Sequence, residues 1–254
     1  MYIAQYSDKE FRTGLKGIQE VEVNKRLDAI INLFCCLHGR DTFLKQYSKE
    51  LGARLLNKSS ISWEYEENFI QKLKVECGAN QVSKMTQMFK DITLSREMQN
   101  EFMQHVGSQQ QPLAVDFNCE VLTNGTWPQM ESPNCQLPPQ MKSCSDRFDR
   151  FFKQKNQNRT LTWLYSFGQV ELQTQYTPKK YQLITNVFQA AILCLFNDAE
   201  EITCSQIERA TQLSKEHFRA AMMRFCDPKI KVLTKEVNKP VFGENEKIKV
   251  NMKF

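Results

Sequence analysis

The stretch Gln71–Ser95, QKLKVECGANQVSKMTQMFKDITLS, decides how this chain folds. Phe69, Ile70, Leu73 and Cys77 recur at helical spacing, and Val82, Met85, Met88, Phe89 and Ile92 do so again further on. Two amphipathic helices follow from that periodicity. Gly78 stands between them, where a glycine can take a left-handed cap with no Cβ penalty. By itself the pattern predicts packed helices and no chemistry.

Toward the N-terminus the same period continues. Val23, Leu27, Ile30, Ile31, Phe34 and Leu37 form one apolar stripe over Glu20–His38. Gly39 should end that helix, and Asp41 reads as the N-cap of the next, Thr42–Asn57, which carries Phe43, Leu44, Tyr47, Leu51 and Leu55. Toward the C-terminus, Ser95 reads as the cap of a further helix bearing Met98, Phe102 and Val106. Short polar connections favour antiparallel neighbours, so residues 1–107 are expected to form a helical bundle.

After the turn-rich stretch Gly107–Pro112 the period changes. Val115, Phe117, Cys119 and Val121 alternate with polar residues, and Asn124-Gly125 marks a turn before Trp127-Pro128. A helix over Lys142–Lys155 presents Phe148, Phe151 and Phe152. Two strands, Thr160–Phe167 and Gln169–Tyr176, are expected to join at Gly168. Their alternation predicts an α/β domain over 113–186, with one buried sheet face and one available. Residues 187–254 read as three helices and two strands around a polar loop, the order of a winged helix. Thr203 with Gln206 resembles a capping box inside it. The fold class is α+β, mainly helical.

Composition narrows the function. Apolar residues make up 41% and charged residues 25%, the balance of an ordinary globular protein. The net charge of +5 comes from 34 basic and 29 acidic side chains spread along the chain, too dilute a field for nucleic acid. Lys215, Arg219, Arg224 and Lys239 belong to the winged-helix segment, but Glu216, Asp227, Glu244 and Glu246 are interleaved with them. A winged-helix nucleic-acid binder remains the alternative that these residues leave open. Nine cysteines with no CxxC pair and no Cys/His cluster at metal spacing read as free thiols of a reducing compartment. The longest apolar run, Ala190–Phe196, is too short to span a bilayer. No leader precedes Tyr2, so the sequons at Asn57, Asn124 and Asn158 read as chance and the expected location is the cytoplasm, the nucleus or both.

Catalysis finds no support in the motifs. His38, His105 and His217 have no partner by spacing, and GxSxG, HExxH and glycine-rich phosphate loops are absent. No catalytic residue, cofactor or metal is expected. An open sheet edge, by contrast, binds a partner's strand through backbone groups and needs no signature side chain.

Several segments resemble the cullin family, in the family's order: KLKVECG with SKMTQMFKDI, then GLKGIQEVEVNKRLDAIINLF (Gly14–Phe34) and FLKQYSKELGARLL (Phe43–Leu56) before them. VLTNGTWP (Val121–Pro128), CQLPP (Cys135–Pro139), RTLTW (Arg159–Trp163) and NVFQAAILCLFN (Asn186–Asn197) follow. VLTKE (Val232–Glu236), with GLKGIQEVEV, leans toward the cullin-three type. The resemblance implies a helical bundle, an α/β domain and a winged helix. It implies a non-catalytic scaffold of RING-type ubiquitin ligases, whose α/β sheet takes up a strand of a RING-box subunit and through it a ubiquitin-conjugating enzyme. Val115, Phe117, Val121, Leu161, Trp163, Val170 and Leu172 are the residues expected to shape that site.

Compared with the family, the chain is expected to be truncated at both ends. It would lack the N-terminal adaptor-binding repeats and the C-terminal winged helix whose lysine accepts a ubiquitin-like modifier. Lys247, Lys249 and Lys253 do not match that lysine's pattern, so no modification lysine is assigned. A cullin-fold interaction module that has lost RING binding, and an incomplete gene model of a longer cullin, are the other readings the sequence leaves open.

Overall fold

The structure, a computed structural model, describes residues 2–128, 133–175, 179–235 and 242–252. They form two compact units: Met1–Gln110 with Asn118–Gln129, and Gln111–Phe117 with Met130–Phe254.

The first unit is helical. Helix α1 (Tyr2–Lys9) runs into a π-helical turn at Glu10–Gly14, followed by α2 (Glu20–Cys35), α3 (Arg40–Leu56), α4 (Trp63–Cys77) and α5 (Ala79–Ser108). The expected stripe buries Val23, Leu27, Ile30, Ile31 and Phe34 on α2, and Phe69, Ile70 and Leu73 do the same on α4. Gly78 separates α4 from α5 at φ +86°, ψ 160°. That is a more glycine-specific region than the left-handed cap the sequence suggests.

Two expected N-caps take other roles. Asp41 lies in the first turn of α3 and Gly39 takes the cap position, with no side chain capping it. Ser95 does not open a new helix: α5 runs unbroken for 30 residues, because the Ser95 side chain is buried and engaged elsewhere.

One feature of this core leaves no trace in the periodicity. Arg54 on α3 is fully buried and forms a fork with Glu66 on α4, at 2.6 and 2.9 Å. Its third nitrogen donates to Asp8 at 2.7 Å, and its guanidinium lies over the rings of Phe11 and Tyr47. Tyr47 Oη and Ser60 Oγ donate to the same Glu66 carboxylate, at 3.0 and 2.8 Å. Burial, reinforced by the Glu66 charge, pushes the Tyr47 hydroxyl well above its usual pKa, so it stays a neutral donor. Deleting either charge would strand the other, a loss of roughly 3–5 kcal/mol for a buried pair.

The second unit contains α6 (Pro139–Lys155), a 3-10 turn at Tyr165–Phe167, and the hairpin of β1 (Gln169–Gln173) and β2 (Gln182–Asn186). After it come α7 (Val187–Cys194), a 3-10 turn at Leu195–Asn197, β3 (Glu201–Thr203), α8 (Cys204–Thr211), α9 (Lys215–Phe225), β4 (Leu233–Lys235) and β5 (Lys247–Val250). The last three strands form an antiparallel sheet in the order β3-β5-β4. With α7, α8 and α9 they make up the C-terminal part of this unit, where β3, between α7 and α8, is a strand that the alternation did not predict. Its core is Phe188, Ile192, Ile207, Phe218, Met222, Phe225 and Ile248. Capping boxes at Asn186/Gln189 and Thr203/Gln206 set the starts of α7 and α8. The loop that holds Lys239, together with Tyr176, Glu236 and Lys253, lies outside the described residues.

The strands expected in the middle of the chain are redistributed. No strand forms at 115–121, and the hairpin expected to turn at Gly168 does not exist. β1 pairs instead with β2, Val170 opposite Thr185 and Leu172 opposite Leu183. Gly168 explains the displaced turn. A Cβ there would lie 2.5 Å from the Val187 side chain, so the chain passes tight against α7 instead of reversing.

Candidate functional site

Two stretches that share strand-like sequence have opposite surroundings, and each is described within its own unit. In the helical unit, residues 118–128 lie on α5. Asp91, almost fully buried, accepts four hydrogen bonds: Thr123 N–H and Oγ1–H at 2.8 Å each, Trp127 Nε1–H at 2.7 Å and Gln87 Nε2–H at 2.8 Å. Ser95 Oγ accepts from Val121 N–H at 2.7 Å and donates to Val121 O at 3.0 Å. Gly52 on α3 completes the seat: a Cβ there would stand 3.1 Å from Pro128 Cδ. The segment is thus held by side chains where a ladder is expected.

In the second unit, residues 159–164 run without helix or ladder. Arg159 N–H bonds back to Asn156 O, and Leu164 O accepts from Phe167 N–H. Between them, Thr160, Leu161 and Thr162 make no backbone hydrogen bond among the described residues. Depressions of about 520 and 490 Å³ lie against this run. Thr160 and Leu161 line the first and Thr162 the second, while Trp163 and Tyr165 border both. The far wall of the larger one is α6, through Asp146, Asp149 and Lys153, with Cys135–Leu137 along its rim. Gln136 N–H donates to Thr211 O at 2.7 Å and anchors that rim to α8.

Aromatic rings support the run from below. Trp163 meets Phe148 of α6 and Phe117, ring centroids 6.1 and 6.3 Å apart, and stacks nearly parallel on Tyr165 at 6.4 Å. Phe117 also packs on Phe148 at 6.0 Å. Of the residues expected at the site, the structure therefore brings Phe117, Leu161 and Trp163 into one neighbourhood. Val170 and Leu172 sit on β1, half-buried on one face of the β1–β2 hairpin. Val115 is exposed beside α6, its carbonyl facing Cys144 Sγ at 3.9 Å. Val121 belongs to the helical unit and is tied to Ser95. The groove residues of α6 were not foreseen, because charged side chains on a helix read as an ordinary solvated face.

Burial raises the thiols of Cys119 to about 12 and of Cys135 and Cys204 to about 11, far from the thiolate a nucleophile needs. His105 faces Gln109, and His217 faces Ser214 and the Phe188 ring. Among the described residues, no group of three His, Cys, Asp or Glu could hold a metal, and no helix is long and apolar enough to cross a membrane. On the β3-β5-β4 sheet, Glu201 binds both Lys247 and Lys249, at 2.6 and 2.7 Å, which removes part of the positive field a nucleic acid would need.

Among the described residues, a helical unit and a second unit of four helices and five short strands define a mainly helical α+β protein. A family model described as the Cullin alpha solenoid domain matches residues 1–99, and one described as the Cullin alpha+beta domain matches residues 121–254. The chain belongs to the cullin family. It is 34% identical over 236 residues to cullin-3 of Dictyostelium discoideum, covering 93% of this chain and 31% of that protein. It is 32% identical to mouse cullin-4A and 31% identical to human cullin-4A, each over 252 residues, 99% of this chain and 33% of the relative. The chain thus spans about a third of the length of the curated relatives it matches.

Proposed function

We propose that this chain is a non-catalytic scaffold component of RING-type ubiquitin ligases, acting in ubiquitin-dependent protein degradation in the cytoplasm or nucleus. It binds a RING-box subunit by accepting one of that subunit's strands along residues 160–164. The observation that carries this is the open backbone of Thr160–Thr162 beside a groove of about 520 Å³. Strand addition draws its affinity from main-chain hydrogen bonds, and its specificity from the pockets that alternate side chains enter.

Supporting rings at Trp163, Tyr165 and Phe148 keep the run in place before a partner arrives, which lowers the ordering cost of binding. The scaffold contributes proximity: a RING-box subunit held here would bring a ubiquitin-conjugating enzyme with it and raise the effective concentration of its cargo near an acceptor lysine.

Co-expression of the full chain with a RING-box protein tests the reading. The expected result is a stable complex that Leu161→Asp disrupts while circular dichroism stays unchanged. A folded, soluble chain that captures no RING-box protein would overturn it.

A further inference from the structure

We propose that the end of the groove floored by Trp163 and Tyr165 is a seat for a basic side chain, arginine or lysine, carried by the strand that docks there. This rests on the strand-docking reading and adds to it what the docking strand must carry.

The two rings are stacked within 6° of parallel, and both line the groove. Across from them, α6 presents Asp146 and Asp149 one turn apart. Asp149 is already paired with Lys153 at 2.7 Å. Asp146 is exposed and has no ion-pair partner among the described residues. Lys142, also on the groove wall, lies one turn N-terminal to Asp146 and makes no ion pair with it.

Burial first, then the neighbouring Cys135, Asp146 and Asp149, raises the Tyr165 hydroxyl above its usual pKa, which places both carboxylates within electrostatic reach of that ring. An aromatic face beside an unpaired carboxylate suits a cation: the ring quadrupole attracts its charge while the carboxylate accepts its N–H groups. A guanidinium fits best because it is planar and sheds water more easily than an ammonium. An acidic or purely apolar side chain at the same place would leave Asp146 opposed or unsatisfied.

The test compares the full chain with its Asp146→Asn and Asp146→Lys variants. Asp146 is exposed and unpaired, so both should keep the wild-type melting temperature. Against a RING-box subunit, Asp146→Lys is expected to weaken binding roughly tenfold or more, with Asp146→Asn intermediate. Changing one basic residue of the docking strand to Glu should restore affinity for Asp146→Lys and no other variant. If the RING-box subunit binds and Asp146→Lys leaves the affinity unchanged, the seat is wrong and the docking reading stands.

If the folded chain binds no RING-box subunit, the docking reading fails and a second probe decides the seat alone. Acetyl-arginine amide should shift the Trp163 indole N–H resonance saturably, more than acetyl-glutamate amide does, and the shift should vanish in Asp146→Lys. No saturable shift would overturn the seat.

Discussion

Segments 118–128 and 159–165 differ in what holds them: side chains of α5 grip the first at Val121, Thr123 and Trp127, and none grips the second at Thr160–Thr162 among the described residues. In the helical unit, Asp91 and Ser95 reach out from α5 and take the polar groups of Val121, Thr123 and Trp127. In the second unit no side chain does the same for Thr160, Leu161 and Thr162, and the chain runs open beside a groove. A carboxylate accepting buried N–H groups is an expensive, rigid arrangement that fixes a segment in place. An open run is cheap in water and becomes valuable when another strand supplies the missing ladder. The contrast separates a segment held by side chains from one left open.

The largest expected effect loosens the held segment. Asp91→Ala leaves Trp127 Nε1–H and Thr123 N–H without their acceptor, a loss on the order of 3–5 kcal/mol at about 1–3 kcal/mol per buried unsatisfied group. Urea denaturation followed by tryptophan fluorescence would measure it. A change below about 1 kcal/mol would mean that water replaces Asp91 without penalty. Gly52→Ala should act on the same segment more gently, costing ~1–3 kcal/mol by pressing on Pro128. A neutral result would show that Pro128 yields.

Hydrogen exchange sharpens the contrast without any substitution. The amides of Val121 and Thr123 should exchange slowly in the free chain, and those of Thr160–Thr162 near the rate of an unstructured peptide. Adding a RING-box subunit should slow only the second set. Equal protection of both segments in the free chain would erase the distinction.

The smallest effect concerns acid. Burial alone would raise the Asp8 carboxyl pKa, but hydrogen bonds from Arg12 and Arg54 outweigh it and hold the value below the usual range. Its stabilisation is therefore fully present above the unfolded carboxylate pKa of about 3.9 and fades as pH falls below it. Melting temperatures between pH 5 and pH 3 should decline less in Asp8→Asn than in the wild type. Parallel declines would remove Asp8 from the account.

The helices were legible because burial repeats along them. The stripe on α2, the break at Gly78 and the capping box at Thr203 each follow from spacing or from a single residue's backbone freedom. Ser95 misled for a definite reason: a serine before an apolar run looks like a cap, whether its hydroxyl bonds locally or reaches Val121, 26 residues away. Period-two alternation misled in the same way at 115–121 and 160–167. It reports which side chains alternate, and it says nothing of which backbone supplies the hydrogen bonds.

The sequence by itself determined the amphipathic helices, the mainly helical α+β class and the likeness to cullins, because each is written in local spacing or in strings of residues. Only the tertiary structure decided the buried Arg54–Glu66 fork, the pairing of β1 with β2, and which strand-like segment is sealed and which stands open. Those outcomes depend on groups far apart in the chain meeting in space, and a desolvated charge or an unclaimed amide acquires its energy only from that meeting.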